Sequence, residues 1–308
     1  MIVALAGGVG GARMAHGLAA CLPPDDLLVV VNVGDDFEHL GLPICPDLDT
    51  VCYTLAGRND RERGWGFAGE SWSFMAAIRD LGGEDWFNLG DRDLATHIIR
   101  RTLLETQSLS DVTRHIADRL GIAHPIVPAT DDRLRSIVHS EEGVLAFQDY
   151  FVRRRAEPVF TSIRFEGAEA ARPSPAFDAA LDDPALEAVI LCPSNPILSI
   201  APILAIGDVR DRLRRSPAPV VAVSPFIDGD AIKGPAAKIF KELHIPCNPQ
   251  GLISCLGDVV DALVIDGADA AASCPDLPVL VTDTLMRDDA GQQRLAREVL
   301  AFARSLKR

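Results

Sequence analysis

The sequence predicts an α/β protein built on a doubly wound, mainly parallel sheet with a mostly helical insertion. Three observations predict it. The chain opens on a short continuous apolar run, Ile2 to Ala6, closed by glycine in the manner of a buried strand. Apolar runs of that kind then alternate with helical stretches near both ends of the chain, the pattern of a parallel sheet with right-handed crossovers. Between the two halves, residues 55–150 carry helical apolar spacing in place of that alternation.

After the first strand, Gly7-Gly8-Val9-Gly10-Gly11 reads as a turn, and a helix follows from about Ala12 to Cys21, ended by Pro23-Pro24. Leu27 to Val31 is a second buried strand. In the closing half, Ala188 to Leu191 is a strand, Val209 to Arg215 a helix, Val220 to Val223 a strand and Pro235 to Leu243 a helix. Val259 to Ile265 holds a helix end and a strand, Val279 to Thr282 the last strand, and Gly291 to Ser305 the final helix. In the middle, Ser71 to Leu81, Asp93 to Leu104 and Ser110 to Leu120 have helical spacing, and Ser110, Asp111 and Thr113 offer capping groups to the third. Strand-like runs at Ser136 to His139, Val144 to Phe147 and Val159 to Arg164 add a small sheet. A single domain is expected, with its core over 1–54 and 175–308 and the insertion over about 55–174.

A chain of 308 residues, 48% hydrophobic and 24% charged, has ample material for a core. Its formal net charge of −14 should repel nucleic acid and anionic lipid, so an anionic substrate needs a local basic pocket or a divalent cation. The seven cysteines form no C-x-x-C pair and fit neither a zinc site nor a disulfide framework; reduced thiols point to the cytoplasm. Gly7 and Gly8 cut the first apolar run too short for a signal peptide, and no stretch reaches membrane-spanning length.

The strongest chemical signal is the loop Gly7, Gly8, Val9, Gly10, Gly11, Ala12, Arg13 between strand and helix. Glycine lets the backbone approach an oxygen-rich ligand, and amides at a helix start attract phosphate. A nicotinamide-type loop fits less well. Arg13 stands where the third glycine belongs, and Asn32 ends the second strand where an acid would take the ribose hydroxyls. A non-catalytic nucleotide-binding regulator on the same core is the other alternative.

Carboxylates follow: Asp35 and Asp36, then Asp47 and Asp49 around Leu48, which would share a face of an extended segment. Such oxygens suit magnesium, although Asp49 or Thr50 would equally well start a helix at Val51. In Asn88-Leu89-Gly90-Asp91-Arg92-Asp93, Asp93 is a candidate N-cap, while Arg92 would face a phosphate or pair with Asp91. His97, beside Ile98, reads as a packed residue. Pro193-Ser194-Asn195-Pro196 offers polar groups to a base or ribose on a rigid turn, and equally reads as plain turn chemistry. Ser224-Pro225 follows another strand, and Lys233, ahead of a helix, would neutralise phosphate or remain solvated. Thr130-Asp131-Asp132 and Asp283-Thr284 complete a set of polar turns after successive strands.

These segments, in this order along nearly the whole chain, resemble the 2-phospho-L-lactate transferase family of coenzyme F-420 biosynthesis. The resemblance implies a Rossmann-like core and a defined reaction. A guanosine diphosphate ester of a three-carbon acid (lactate, enolpyruvate or glycerate) gives its acyl-side phosphate to the ribityl hydroxyl of the deazaflavin Fo, releasing GMP. It implies magnesium, a homodimer and small-molecule substrates only. Carried over to this chain, Asp49 would lie at the Fo hydroxyl and the metal, with Asp47 or Asp35 helping. Asn88 would contact Fo, and Gly7, Gly8, Gly10, Gly11 and Arg13 with Ser194 and Asn195 would hold the guanosine diphosphate. Arg13 and Lys233 would supply charge to its phosphates, with Arg92 a further candidate.

Overall fold

Ile2–Ala6 (β1), five apolar residues without solvent contact, forms an interior strand of a seven-stranded sheet in a computed structural model that describes residues 1–231, 234–271 and 277–306. The remaining strands are Leu27–Val31 (β2), Ile126–Pro128 (β3), Ala188–Leu191 (β4), Val220–Val223 (β5), Ala262–Asp266 (β6) and Val279–Thr282 (β7). All pairings are parallel, in the order β7-β6-β5-β4-β1-β2-β3. β1, β2, β4 and β5 are buried along their whole length because helices cover the sheet, and a strand covered on both sides needs apolar side chains at every position.

The order carries one reversal. From β1 the chain steps outward through β2 to β3, then returns to the other flank of β1 with β4 and proceeds to β7. The crevice beyond the carboxyl ends of β1 and β4 is therefore the switch point where such sheets bind ligands.

Three helices surround the cleft side of this core. Gly8–Ala19 (α1) packs against Pro46–Leu55 (α2) and against the C-terminal helix Asp289–Ser305. Then follow Ser73–Asp80 (α3), Asp91–Leu103 (α4) and Leu109–Arg119 (α5), and an antiparallel sheet with Arg135–Ser140 between Gly143–Ala146 and Phe160–Glu166. The stretch expected to lie outside the core also supplies an element to it: β3 pairs with β2. Ser108, not Ser110, caps α5, its hydroxyl accepting from the Asp111 amide.

α1 starts at Gly8, four residues before the expected Ala12. Glycine disfavours a helix interior, so propensity argues for the later start. Close packing decides otherwise. A Cβ on Gly10 would stand 2.1 Å from the Pro193 carbonyl oxygen, so only glycine lets this turn lie against the turn after β4. The six described cysteines are free thiols, and Cys274 lies outside the described residues.

Candidate active site

The loop after β1 and the turn after β4 are tied together at the switch point. The Ser194 hydroxyl donates to the Gly7 carbonyl at 2.8 Å and accepts from the Gly7 amide at 3.3 Å. Gly8 takes φ +61°, a conformation that favours glycine, and its amide donates to Asp47 Oδ1 at 2.7 Å. Two loop amides are thus committed to the protein, and Val9 and Gly10, whose first-turn amides lack carbonyls one turn back, line the cleft. Helix starts of this kind attract phosphate.

The cleft has a volume of about 510 Å³ and runs from this loop to an aromatic wall formed by Trp65, Trp86, Phe87, Phe147 and Phe151. Its floor is acidic. Asn32 Nδ2 donates to Asp35 Oδ1 at 3.2 Å and to Asp47 Oδ2 at 3.0 Å, so this amide bridges two carboxylates. Burial pushes the Asp47 carboxyl up to about 6, against the hydrogen bonds from Asn32 and Gly8. Burial, and then the charge of Asp47, lifts Asp35 well above the usual carboxylate range. Neither carboxylate has an ion pair among the described residues.

A second carboxylate group is compensated internally. Arg100, 2% exposed, grips Asp49 with both branches of its guanidinium: Nη1 to Oδ2 at 3.1 Å, and Nη2 to Oδ1. Tyr53 donates to Asp93 Oδ1 at 2.7 Å, and His97 Nε2 faces the same oxygen at 3.4 Å. Burial raises the Asp49 carboxyl, and Arg100 and His97 offset part of that rise. Asp93 also bears the cost of burial, yet His97 and Tyr53 hold it below its usual value.

This glycine loop, these strand-end carboxylates and their order along the chain agree with one family over almost the full length: the family described as 2-phospho-L-lactate transferase CofD matches residues 2–296. The chain belongs to that family. It is 38% identical to a phosphoenolpyruvate transferase of Kitasatospora aureofaciens, covering 99% of this chain and 98% of the relative. It is 37% identical to a 2-phospho-L-lactate transferase of Methanopyrus kandleri, again over 99% and 98%. A crystal structure of a UPF0052 family protein from Bacillus halodurans shares the fold at a TM-score of 0.60, with 15% identity and 97% and 98% of the two chains covered. As a CofD-family protein the chain is a transferase.

Within this transferase, Gly7, Gly8, Gly10, Arg13, Asp35, Asp47, Asp49, Asn88, Ser194 and Asn195 all line the one cleft. Gly11 is buried behind the loop, and Arg92 points away, its guanidinium donating to the Ala68 carbonyl at 3.2 Å. Lys233 lies outside the described residues. Arg13 borders the cleft while donating to the Met286 carbonyl at 3.3 Å, and Asn195 caps the turn that follows it through the Ile197 and Leu198 amides.

Two local expectations are corrected and a third holds. Asp47 and Asp49 do not share a face of an extended segment; they lie in the first turn of α2, which begins at Pro46, ahead of the expected start at Val51. Two residues apart on a helix they diverge, Asp47 toward Gly8 and Asp49 toward Arg100. Gly90, not Asp93, is the N-cap of α4, and Asp93 is turned inward to Tyr53. His97 is packed, as expected, and its polar neighbours are Asp49, Asp93 and Arg100.

Sequence reasoning missed Asn32 as a bridge, Tyr53, Arg100 and the aromatic wall. A signal for Arg100 was present: Asp93, His97 and Arg100 at i, i+4 and i+7 form one helical stripe.

Proposed function

We propose that this transferase moves a phosphorylated three-carbon acid from a guanosine diphosphate ester to the ribityl hydroxyl of the deazaflavin Fo, in coenzyme F-420 biosynthesis. The hydroxyl oxygen bonds to the acyl-side phosphorus, the bond from that phosphorus to the bridging oxygen breaks, and GMP leaves with the bridging oxygen and its electron pair. The observation that carries this reading is the meeting of the Gly8–Gly10 helix start with the Asp35 and Asp47 pair across one cleft. Relatives named for phosphoenolpyruvate and for 2-phospho-L-lactate transfer support the donor class.

The residues fit a magnesium ion. Asp35 and Asp47 are all-oxygen donors joined by Asn32, and burial lifts both carboxyls, a cost that a bound cation would relieve. Without one, Asp47 would repel a diphosphate from the Gly8 loop it touches. Bound on Asp35 and Asp47, with Asp49 beside them, magnesium would neutralise charge on the diphosphate and on departing GMP.

The protein's own part is alignment, which phosphoryl-group transfer chiefly requires. Val9 and Gly10 amides and Arg13 hold the phosphates, and the turn at Ser194 and Asn195 holds the nucleoside. The aromatic wall with Asn88 takes the planar deazaflavin. Asp49 orients the attacking hydroxyl and accepts its proton, while Asp47, turned toward Gly8, is left to the metal.

Incubation with Fo, magnesium and each guanosine donor, followed by mass spectrometry, tests the proposal. The phosphorylated-acid ester of Fo and an equal amount of GMP are expected with one donor. Failure to release GMP with lactate, enolpyruvate and glycerate donors alike would end the reading.

A further inference from the structure

The acidic floor is divided by one buried cation. Asp49, Asp93 and His97 each offer a ligand atom, and these atoms lie within 4.8 Å of one another, a spacing that would hold a single metal ion. Arg100 already occupies that neighbourhood. Its two branches take both Asp49 oxygens, and Nη1 also lies 3.0 Å from His97 Nδ1 and 3.4 Å from the Pro43 carbonyl oxygen. His97 Nε2 in turn lies 3.4 Å from Asp93 Oδ1, so the imidazole sits between Arg100 and Asp93.

We propose that Arg100 is a positioning residue that fixes the Asp49 carboxylate toward the acceptor hydroxyl and keeps a second metal ion out of the Asp49, Asp93 and His97 cluster. This rests on the reading of Asp49 as the group that orients that hydroxyl. A two-pronged planar grip sets the plane of a carboxylate, which the point charge of a lysine does not. Burial makes the arrangement obligatory, because a charge at a site 2% exposed must be matched on the spot. The floor therefore has two seats for positive charge. One, at Asp35 and Asp47, is left to an exchangeable ion; the other is filled by the chain itself.

The test uses R100A and R100K in the full-length protein, with bound Mn²⁺ counted by electron paramagnetic resonance in the presence of GDP. Wild type should bind one ion, and R100A a second, at the vacated seat. In turnover, R100K should lower kcat by about 10²-fold while donor KM stays within about 3-fold, and added guanidinium should restore part of the activity of R100A. A purely structural role would lower the melting temperature without that split or that rescue. Unchanged kcat in R100K, or a single Mn²⁺ in folded R100A, overturns the proposal; if R100A does not fold, R100K decides it. Wild type that makes no GMP would remove the transfer reaction proposed above, whereas the ion count would still decide what fills the Arg100 seat.

Discussion

Asp36 shows how the cost of the acidic cleft falls on single side chains. Its Oδ1 has no hydrogen-bond partner among the described residues, and burial, opposed by Arg135, pushes its carboxyl up to about 7 from 3.8. The folded protein therefore binds this proton more tightly than the unfolded chain does. Stability contributed by the neutral carboxyl is fully present below about pH 4 and is lost as pH rises toward 7. Asp36→Asn keeps the neutral form at every pH, so its stability relative to wild type should grow between pH 5 and pH 8. Urea midpoints of both proteins at those two pH values measure the change, and an equal difference at both would contradict the assigned burial cost. Asp36 was visible in the sequence only as a neighbour of Asp35; its environment depends on chain segments remote from it.

Helices α2 and α4 meet through their polar stripes. Asp49 and Tyr53 lie one turn apart on α2, and Asp93, His97 and Arg100 lie along α4, while Ile98 and Ile99 of α4 are each 48% exposed. The helix thus buries charge and shows apolar side chains, the reverse of what amphipathic spacing implies. Its existence was legible from periodicity, but its orientation was not, because a charged stripe reads as solvated until a partner stripe is placed against it. Tyr53→Phe should remove the bond to Asp93 and cost about 1.5 to 3 kcal/mol, the range for a buried hydrogen bond to a charged group. Chemical denaturation would detect that, and a loss below the scatter of the method would mean the two stripes do not hold each other. β3 was missed for a related reason: three residues ending in proline carry no pattern, and β2 alone makes them a strand.

Taken whole, the molecule is an acidic protein, and the anionic donor proposed for it would need an exchangeable cation to resolve that opposition. GDP with magnesium should raise the melting temperature, GDP with chelator should do so less, and NAD should leave it unchanged. A shift with NAD alone would favour an oxidoreductase on the same core. The strands β1, β2, β4, β5, β6 and β7, the helices Val209–Arg215 and Ala236–Glu242 and the glycine loop were readable because each is a local pattern: apolar runs, helical periods, and glycine before a helix. Those patterns, with the order of motifs, were also enough to place the chain in its family. Which amides of the loop are bonded to the protein, and which carboxylates are paired with a cationic side chain, were decided only by tertiary contact. Asp35, Asp47, Asp49 and Asp93 are chemically alike along the chain, and they differ in the protein because Asn32, Gly8, Arg100 and Tyr53 reach them from separate elements.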